Sequence, residues 1–160
     1  MSPTIRIYCQ AEESPSLQDI LEWVIEEEYK VVLNPETLEG DPDDPHWTSA
    51  DMLIEDSECS IQLDCLRDAG ETAPEFQSQC AMFDSEFNEL ENVGEANPLR
   101  DHLSLTTYFV RLQIPDEPDE LCREVTEIIQ QSLAANEEGI VHIEGEGVYD
   151  ADGELLLNME

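Results

Sequence analysis

The apolar positions of this chain follow two periods, one of two residues and one of three to four. The shorter period is typical of half-buried strands. It predicts strands over the segments 4–10, 30–33, 51–55, 58–66, 103–114, 140–143 and 148–157. Asp56-Ser57 predicts a hairpin turn between the third and fourth segments, and Asp152-Gly153 predicts a turn within the last one.

The longer period predicts three amphipathic helices. The first begins at a capping box of Ser16 and Asp19, and the second at a capping box of Thr72 and Glu75. The third follows the acidic stretch 116–120, where the helix macrodipole favours negative charge. The apolar stripes are, in order, Leu17, Ile20, Leu21 and Val24; Phe76, Cys80, Phe83, Phe87 and Leu90; and Leu121, Cys122, Val125, Ile128, Ile129 and Leu133.

Strands and helices are mixed without regular parallel crossovers, which predicts the α+β class. We expect a single domain over residues 1–160, with an antiparallel or mixed β-sheet and about three helices packed mainly on one face. The strand–helix–strand passages at the two ends of the chain suggest a ferredoxin-like arrangement.

The net charge is the feature of the composition that bears most directly on function. Forty of the 160 residues are Asp or Glu and six are Lys or Arg, so the formal net charge is −34, and Lys30 is the only lysine. Hydrophobic residues make up 40% and fall into clean periods, so we expect a folded domain rather than a disordered acidic chain. A surface this negative repels nucleic acid and anionic membranes and attracts basic proteins.

The sequence shows no catalytic pattern, and we expect a protein that is not an enzyme and has no cofactor or metal site. His46, His102 and His142 lie in different kinds of segment, and no nucleophile elbow accompanies them. The five cysteines lie in apolar patterns without a C-x-x-C pair, which predicts free core thiols in a reducing compartment. The segment 150–154 resembles the start of an EF-hand loop but lacks the closing bidentate acid.

The chain shows neither a signal peptide nor an apolar segment approaching the roughly 20 residues that span a membrane. We therefore expect a cytoplasmic protein.

Three explanations of the acidity remain open. The one we favour is a binding or inhibitor protein that docks onto a basic, nucleic-acid-binding surface of a partner such as a nuclease, with carboxylates in the place of phosphates. The second is solubility in a salt-adapted host, and the third is a regulatory scaffold module whose specific contacts are apolar. Small antirestriction, nuclease-immunity and ribonuclease-blocking proteins are similar in size and acidity, a resemblance of composition that assigns no residue.

Acidic runs supply the candidate partner-binding residues. They are Glu22, Glu26, Glu27 and Glu28 on the first helix, Asp41, Asp43 and Asp44 in a loop, and Asp116, Glu117, Asp119 and Glu120 before the third helix. Acids three or four apart on a helix lie about 5–6 Å apart, which is close to the spacing of a row of phosphates. Trp47, beside the loop, is a candidate aromatic anchor or else a core or lid-packing side chain.

Overall fold

The computed structural model describes residues 4–38, 41–45, 47–68, 70–89, 97–115 and 117–158. The strands are β1 (Ile5–Cys9), β2 (Val31–Leu33), β3 (Ser49–Ile54), β4 (Ser60–Arg67), β5 (Tyr108–Gln113), β6 (Gly139–Ile143), β7 (Gly147–Tyr149) and β8 (Leu155–Asn158). The helices are α1 (Leu17–Glu26), α2 (Ala73–Asn88), α3 (Asn97–Ser104) and α4 (Glu120–Asn136).

All eight strands form one sheet in the order β2-β3-β4-β5-β1-β6-β7-β8. Each neighbouring pair is antiparallel, so the α+β class predicted from the sequence is confirmed and the sheet contains no parallel pair among the described strands. The element order differs from the β-α-β-β-α-β order of a ferredoxin-like unit, because three strands separate α1 from α2.

The central strands bury apolar side chains on both faces of the sheet. In β1, Ile7 packs under α1 and α4, whereas the next residue, Tyr8, packs under α2 and α3. The same alternation separates Val110 from Phe109 in β5. Both faces therefore need helical cover, and the helices divide two and two where the sequence pattern placed about three mainly on one face.

Helix α3 is the element that sequence reasoning missed. The segment 103–114 was predicted as one strand, but the structure ends α3 at Ser104 and begins β5 at Tyr108. Pro98 in the first turn and the buried pair Leu99 and Leu103, four residues apart, are the local signals of this helix.

The capping predictions have opposite outcomes. The Ser16–Asp19 box at the start of α1 is confirmed, since the Asp19 N–H donates to Ser16 Oγ at 3.1 Å and the Ser16 N–H donates to Asp19 Oδ2 at 3.2 Å. The Thr72–Glu75 box is wrong, because Thr72 makes no side-chain cap for α2. Its hydroxyl instead accepts from the Arg67 N–H and donates to the Arg67 carbonyl.

The cysteine prediction needs a correction. Cys59, just before β4, and Cys122, in the first turn of α4, form a disulfide across 63 residues of sequence, so these two are not free thiols. Cys9, Cys65 and Cys80 are free. No helix in the described ranges is both long and apolar enough to cross a membrane.

A polar row crosses the sheet on the face that α2 and α3 cover. Asp64, Arg111, Arg6 and His142 are successive cross-strand neighbours in this row. Asp64 Oδ2 accepts from Arg111 at 3.1 Å and 3.2 Å, and Arg6 Nη1 lies 3.3 Å from Glu144 Oε2. These ion pairs neutralise two arginines that would otherwise repel each other directly across the ladder.

His142 is the buried end of this row. Its ring is 3% exposed and stacks on Phe83 with a centroid distance of 4.3 Å. Burial and then the neighbouring Arg6 charge lower the pKa of His142 to about 4. The ring is therefore neutral in the fold down to about pH 4, whereas in the unfolded chain it takes up a proton below about pH 6.5.

We predict that His142 makes the fold acid-sensitive. Because the folded pKa lies below the unfolded one, the contribution of neutral His142 is complete above pH 6.5 and is lost as the pH falls towards 4. The difference in unfolding free energy between wild type and His142→Phe should change by about 2–3 kcal/mol between pH 7 and pH 4.5 in urea titrations. Parallel pH curves for the two proteins would contradict this assignment.

Candidate protein-docking surface

The C-terminal end of α1 carries uncompensated negative charge. Its buried stripe is Leu17, Ile20, Leu21 and Val24, as predicted. Glu22 and Glu26 are exposed on the helix, Glu27 and Glu28 are exposed just after it, and the last turn contains no basic residue. The helix macrodipole favours cations at this end, so these acids oppose helix stability rather than serve it.

Glu28, two residues after the last residue of α1, adopts a backbone conformation that glycine normally provides. Its φ is +72°, in the left-handed region, and its N–H donates to the Ile25 carbonyl at 3.0 Å. A side chain in this region is sterically unfavourable. Glutamate therefore stands at this position at some cost to the fold.

The acids before α4 have a structural role as well as an exposed position. Asp119 is the N-cap, and its carboxylate accepts from the Cys122 N–H at 2.8 Å and from the Ser57 hydroxyl at 2.6 Å. The hydrogen bonds from Ser57 and Cys122 lower the pKa of Asp119. Glu117 and Glu120 are exposed, and Asp116 lies outside the described residues.

The structure brings the α1 and α4 acids together around Tyr29. The Tyr29 hydroxyl donates to Glu124 Oε2 at 2.7 Å, which joins the end of α1 to the first turns of α4. This bond, followed by desolvation and then by the charges of Glu124, Glu27 and Glu120, raises the pKa of Tyr29. Two runs that are nearly a hundred residues apart in sequence thus form one surface. We call it the α1–α4 acidic surface. Glu27, Glu120 and Glu124 lie around Tyr29, and the other acids of the two runs are Glu22, Glu26, Glu28, Glu117 and Asp119.

The acidic loop lies apart from this surface. The Gln18 N–H donates to the Pro42 carbonyl at 2.9 Å, and the Ser14 hydroxyl donates to the Pro45 carbonyl at 2.6 Å, so the loop sits at the start of α1. The eight residue-to-residue steps from Gln18 to Glu26 span about 12 Å of helix. Asp41, Asp43 and Asp44 are exposed, but the structure does not join them to Glu26 and its neighbours.

Trp47 is a core residue, and the prediction of an aromatic anchor is wrong. The side chain is 2% exposed, and its Nε1–H donates to the Pro15 carbonyl at 2.8 Å. Its indole packs within the core beneath α1 and α4. The core alternative considered for Trp47 therefore holds, and its side chain offers no area to a partner.

Cationic side chains are distributed unevenly around the sheet. Arg6, Arg100 and Arg111 form ion pairs on the side of α2 and α3. Arg67 binds the Trp47 and Pro45 carbonyls and the Ser14 hydroxyl in a cleft at the sheet end. Only Lys30 and Arg123 remain near the α1–α4 acidic surface, which is why its acids are poorly compensated.

An apolar groove adjoins the α1–α4 acidic surface at the edge of the sheet. It has a volume of about 520 Å³. Its lining includes Ile25 and Tyr29 at the end of α1, Val31 and Val32 of β2, and Leu53 of β3. Ile25 is 49% exposed and Val32 is 61% exposed. Sequence reasoning missed this groove, although Ile25 stands outside the buried stripe of α1.

The chemistry available elsewhere in the described chain is limited. Burial raises the pKa of Cys65 to about 12, and burial with the Asp68 charge raises that of Cys80 to about 11, so neither thiol is activated as a nucleophile. The described residues contain no group of three His, Cys, Asp or Glu side chains able to hold a metal. The segment 150–154 forms a hairpin turn in which Asp150 Oδ1 accepts from the N–H groups of Asp152 and Glu154. His46 lies outside the described residues.

We predict that Glu28→Gly stabilises the protein. The substitution relieves the left-handed backbone strain but adds backbone entropy to the unfolded chain. The net effect should be a rise of about 0.5–1 kcal/mol in the unfolding free energy, measured by urea titration. Glu138→Gly is the matched control, since Glu138 has a φ of +53° after α4 and also carries one negative charge. A loss of stability in Glu28→Gly alone would show that Glu28 contributes to the fold.

A scan against protein-family models, a search of curated proteins and a search of solved structures each return no match for this chain.

Proposed function

We propose that this protein is not an enzyme but an acidic binding protein that occludes a basic, nucleic-acid-binding surface of a partner protein. The observation that carries the proposal is the convergence of two acidic runs, at the end of α1 and the start of α4, into one surface around Tyr29. The partner class is that of nucleases and other nucleic-acid-binding proteins, and the protein itself binds neither nucleic acid nor membrane.

Charge segregation supports this proposal over a purely solubilising role. Acids that served only to keep the protein in solution would need no particular arrangement. Here the ion-paired arginines lie on the side of α2 and α3, while the acids of α1 and α4 face outward on the other side. The acids of α1 and α4 are therefore less compensated by arginines than those beside α2 and α3, which favours the approach of a basic partner to this surface and raises the association rate.

The acids at the end of α1 support the proposal in a second way. Their negative charges at the C-terminal end of α1 interact unfavourably with the helix macrodipole, and Glu28 occupies a left-handed backbone conformation. Residues that are unfavourable for the fold often serve binding. We place this activity in the cytoplasm, although the Cys59–Cys122 disulfide is a bond more typical of an oxidising compartment.

The experiment is a displacement assay with purified basic nucleases and DNA-binding proteins bound to a fluorescent 20-base-pair duplex. Wild-type protein should displace the duplex at about 50 mM salt. Its direct binding to the same immobilised partner without DNA should weaken by at least about tenfold at 500 mM, because the screening length shrinks about threefold. Binding of the labelled duplex by the acidic protein itself is measured in parallel and should be absent.

Two charge-neutralised variants locate the interaction. Glu22→Gln/Glu26→Gln/Glu27→Gln should weaken displacement by about tenfold, since each lost contact is worth about 0.5 kcal/mol at an exposed surface. Asp41→Asn/Asp43→Asn/Asp44→Asn removes the same charge from the loop and should weaken it by less than about threefold. An equal loss of displacement in the two variants would show that displacement depends on the overall charge of the protein rather than on the α1–α4 acidic surface. Absence of displacement by wild type across the panel would refute the proposed function.

A further inference from the structure

We infer that the open edge of β2 binds an extended basic segment of the partner as an added strand, beside the apolar groove. This inference rests on the proposed function and specifies how the surface would recognise the partner's backbone. It concerns an edge and a groove that the acidic runs alone do not identify.

Strand β2 presents backbone groups that the sheet does not use. The Glu55 N–H donates to the Lys30 carbonyl at 2.9 Å and the Asn34 N–H donates to the Asp51 carbonyl at 2.8 Å. In an antiparallel ladder such pairs recur every second residue, so Val32 also faces β3. The N–H and carbonyl groups of Val31 and Leu33 therefore point away from the sheet, and no loop of the described chain hydrogen-bonds to them.

Exposed apolar side chains flank this edge on both sides. Val32 lies next to its cross-strand neighbour Leu53 on one face, and Ile25 stands at the end of α1 on the other. An added strand projects its side chains alternately to the two faces. One set would contact the part of the groove lined by Val32 and Leu53, and the other set would contact the part lined by Ile25.

Charge selects a basic occupant for the groove. Glu55 lines it, and Glu26, Glu27 and Glu28 follow Ile25 directly in the chain, whereas Lys30 is the one cation among the described lining residues. A second copy of this chain is disfavoured there, since each copy carries a net charge of −34. A segment that alternates arginine or lysine with apolar residues satisfies both the groove and the acids around it.

The length of β2 sets how strong this contact can be. Three residues offer few ladder hydrogen bonds, and short strands with a flanking lysine are a common protection against unwanted pairing. Edge pairing alone would therefore be weak and unselective in sequence. The adjoining acids add the attraction that restricts it to basic segments.

The test uses a fluorescein-labelled octapeptide of alternating arginine and valine, and the same peptide N-methylated at every second backbone amide. N-methylation keeps the charge and side chains but blocks strand pairing. Wild-type protein should bind the parent peptide at least about tenfold more tightly than the methylated one. Amide hydrogen exchange at Val31 and Leu33 should slow by at least about tenfold when the parent peptide binds.

Variants that leave the net charge unchanged test the groove. Ile25→Gln/Val32→Thr should weaken binding of the parent peptide by at least about fivefold through loss of apolar contact. Leu155→Gln/Leu156→Thr is the matched control on the opposite edge strand, where both leucines are similarly exposed, and should change binding by less than about twofold.

The outcomes separate this inference from the proposed function. Equal binding of the two peptides, with unchanged exchange at Val31 and Leu33, would refute strand addition. If the Glu22, Glu26 and Glu27 neutralisation still weakened displacement of the duplex by about tenfold, the proposed function would stand without strand addition. Sensitivity to N-methylation with no effect of neutralisation would support the edge site and refute the electrostatic proposal.

Discussion

Repulsion among forty carboxylates, opposed by only six cationic side chains, is the constraint on which the arrangement of this structure depends. Two carboxylates 5–6 Å apart repel by less than about 1 kcal/mol in water and by several times more where solvent is restricted. The fold accordingly keeps the carboxylates of α1 at the surface. It places Arg111 where Asp64, whose side chain is 11% exposed, would otherwise be an isolated buried charge. Arg111 thus neutralises an acid that burial would make costly, whereas the acids paired with Arg6 and Arg100 are 58% and 51% exposed. The exposed acids of α1 and α4 remain without such ion pairs among the described residues.

The sheet supplies the burial that offsets this repulsion. Strands β1 and β5 each place core side chains on both faces, so one sheet supports two cores, with Ile7 and Val110 in one and Tyr8 and Phe109 in the other. Hydrophobic burial does not depend on charge and is little affected by the acids outside it. A highly charged exterior is therefore compatible with a well-packed interior, provided that both faces of the sheet are covered.

Features with a local cause could be predicted from the sequence, and features that depend on distant contacts could not. The Ser16–Asp19 cap, the stripe of α1 and the hairpin of β3 and β4 each arise within a few residues. Thr72 had the sequence of a cap, yet its hydroxyl bonds the backbone of Arg67 instead, because β4 ends beside it. The position of Trp47 in the core depends on packing across the chain, as does the pairing of Cys59 with Cys122.

The candidate surface shows the same division. Each acidic run was visible in the sequence, but only the Tyr29–Glu124 hydrogen bond reveals that the α1 and α4 runs meet while the loop at 41–45 stays apart. The groove was not predictable, since it depends on β2 being the edge strand, and strand order is not encoded in any local pattern.

Long-range charge attraction governs how fast a basic partner arrives and discriminates poorly among basic partners. An edge strand beside an apolar groove adds directional hydrogen bonds and shape, which act only at contact. The two features lie side by side at the end of α1, so attraction and discrimination would act on the same segment of a partner.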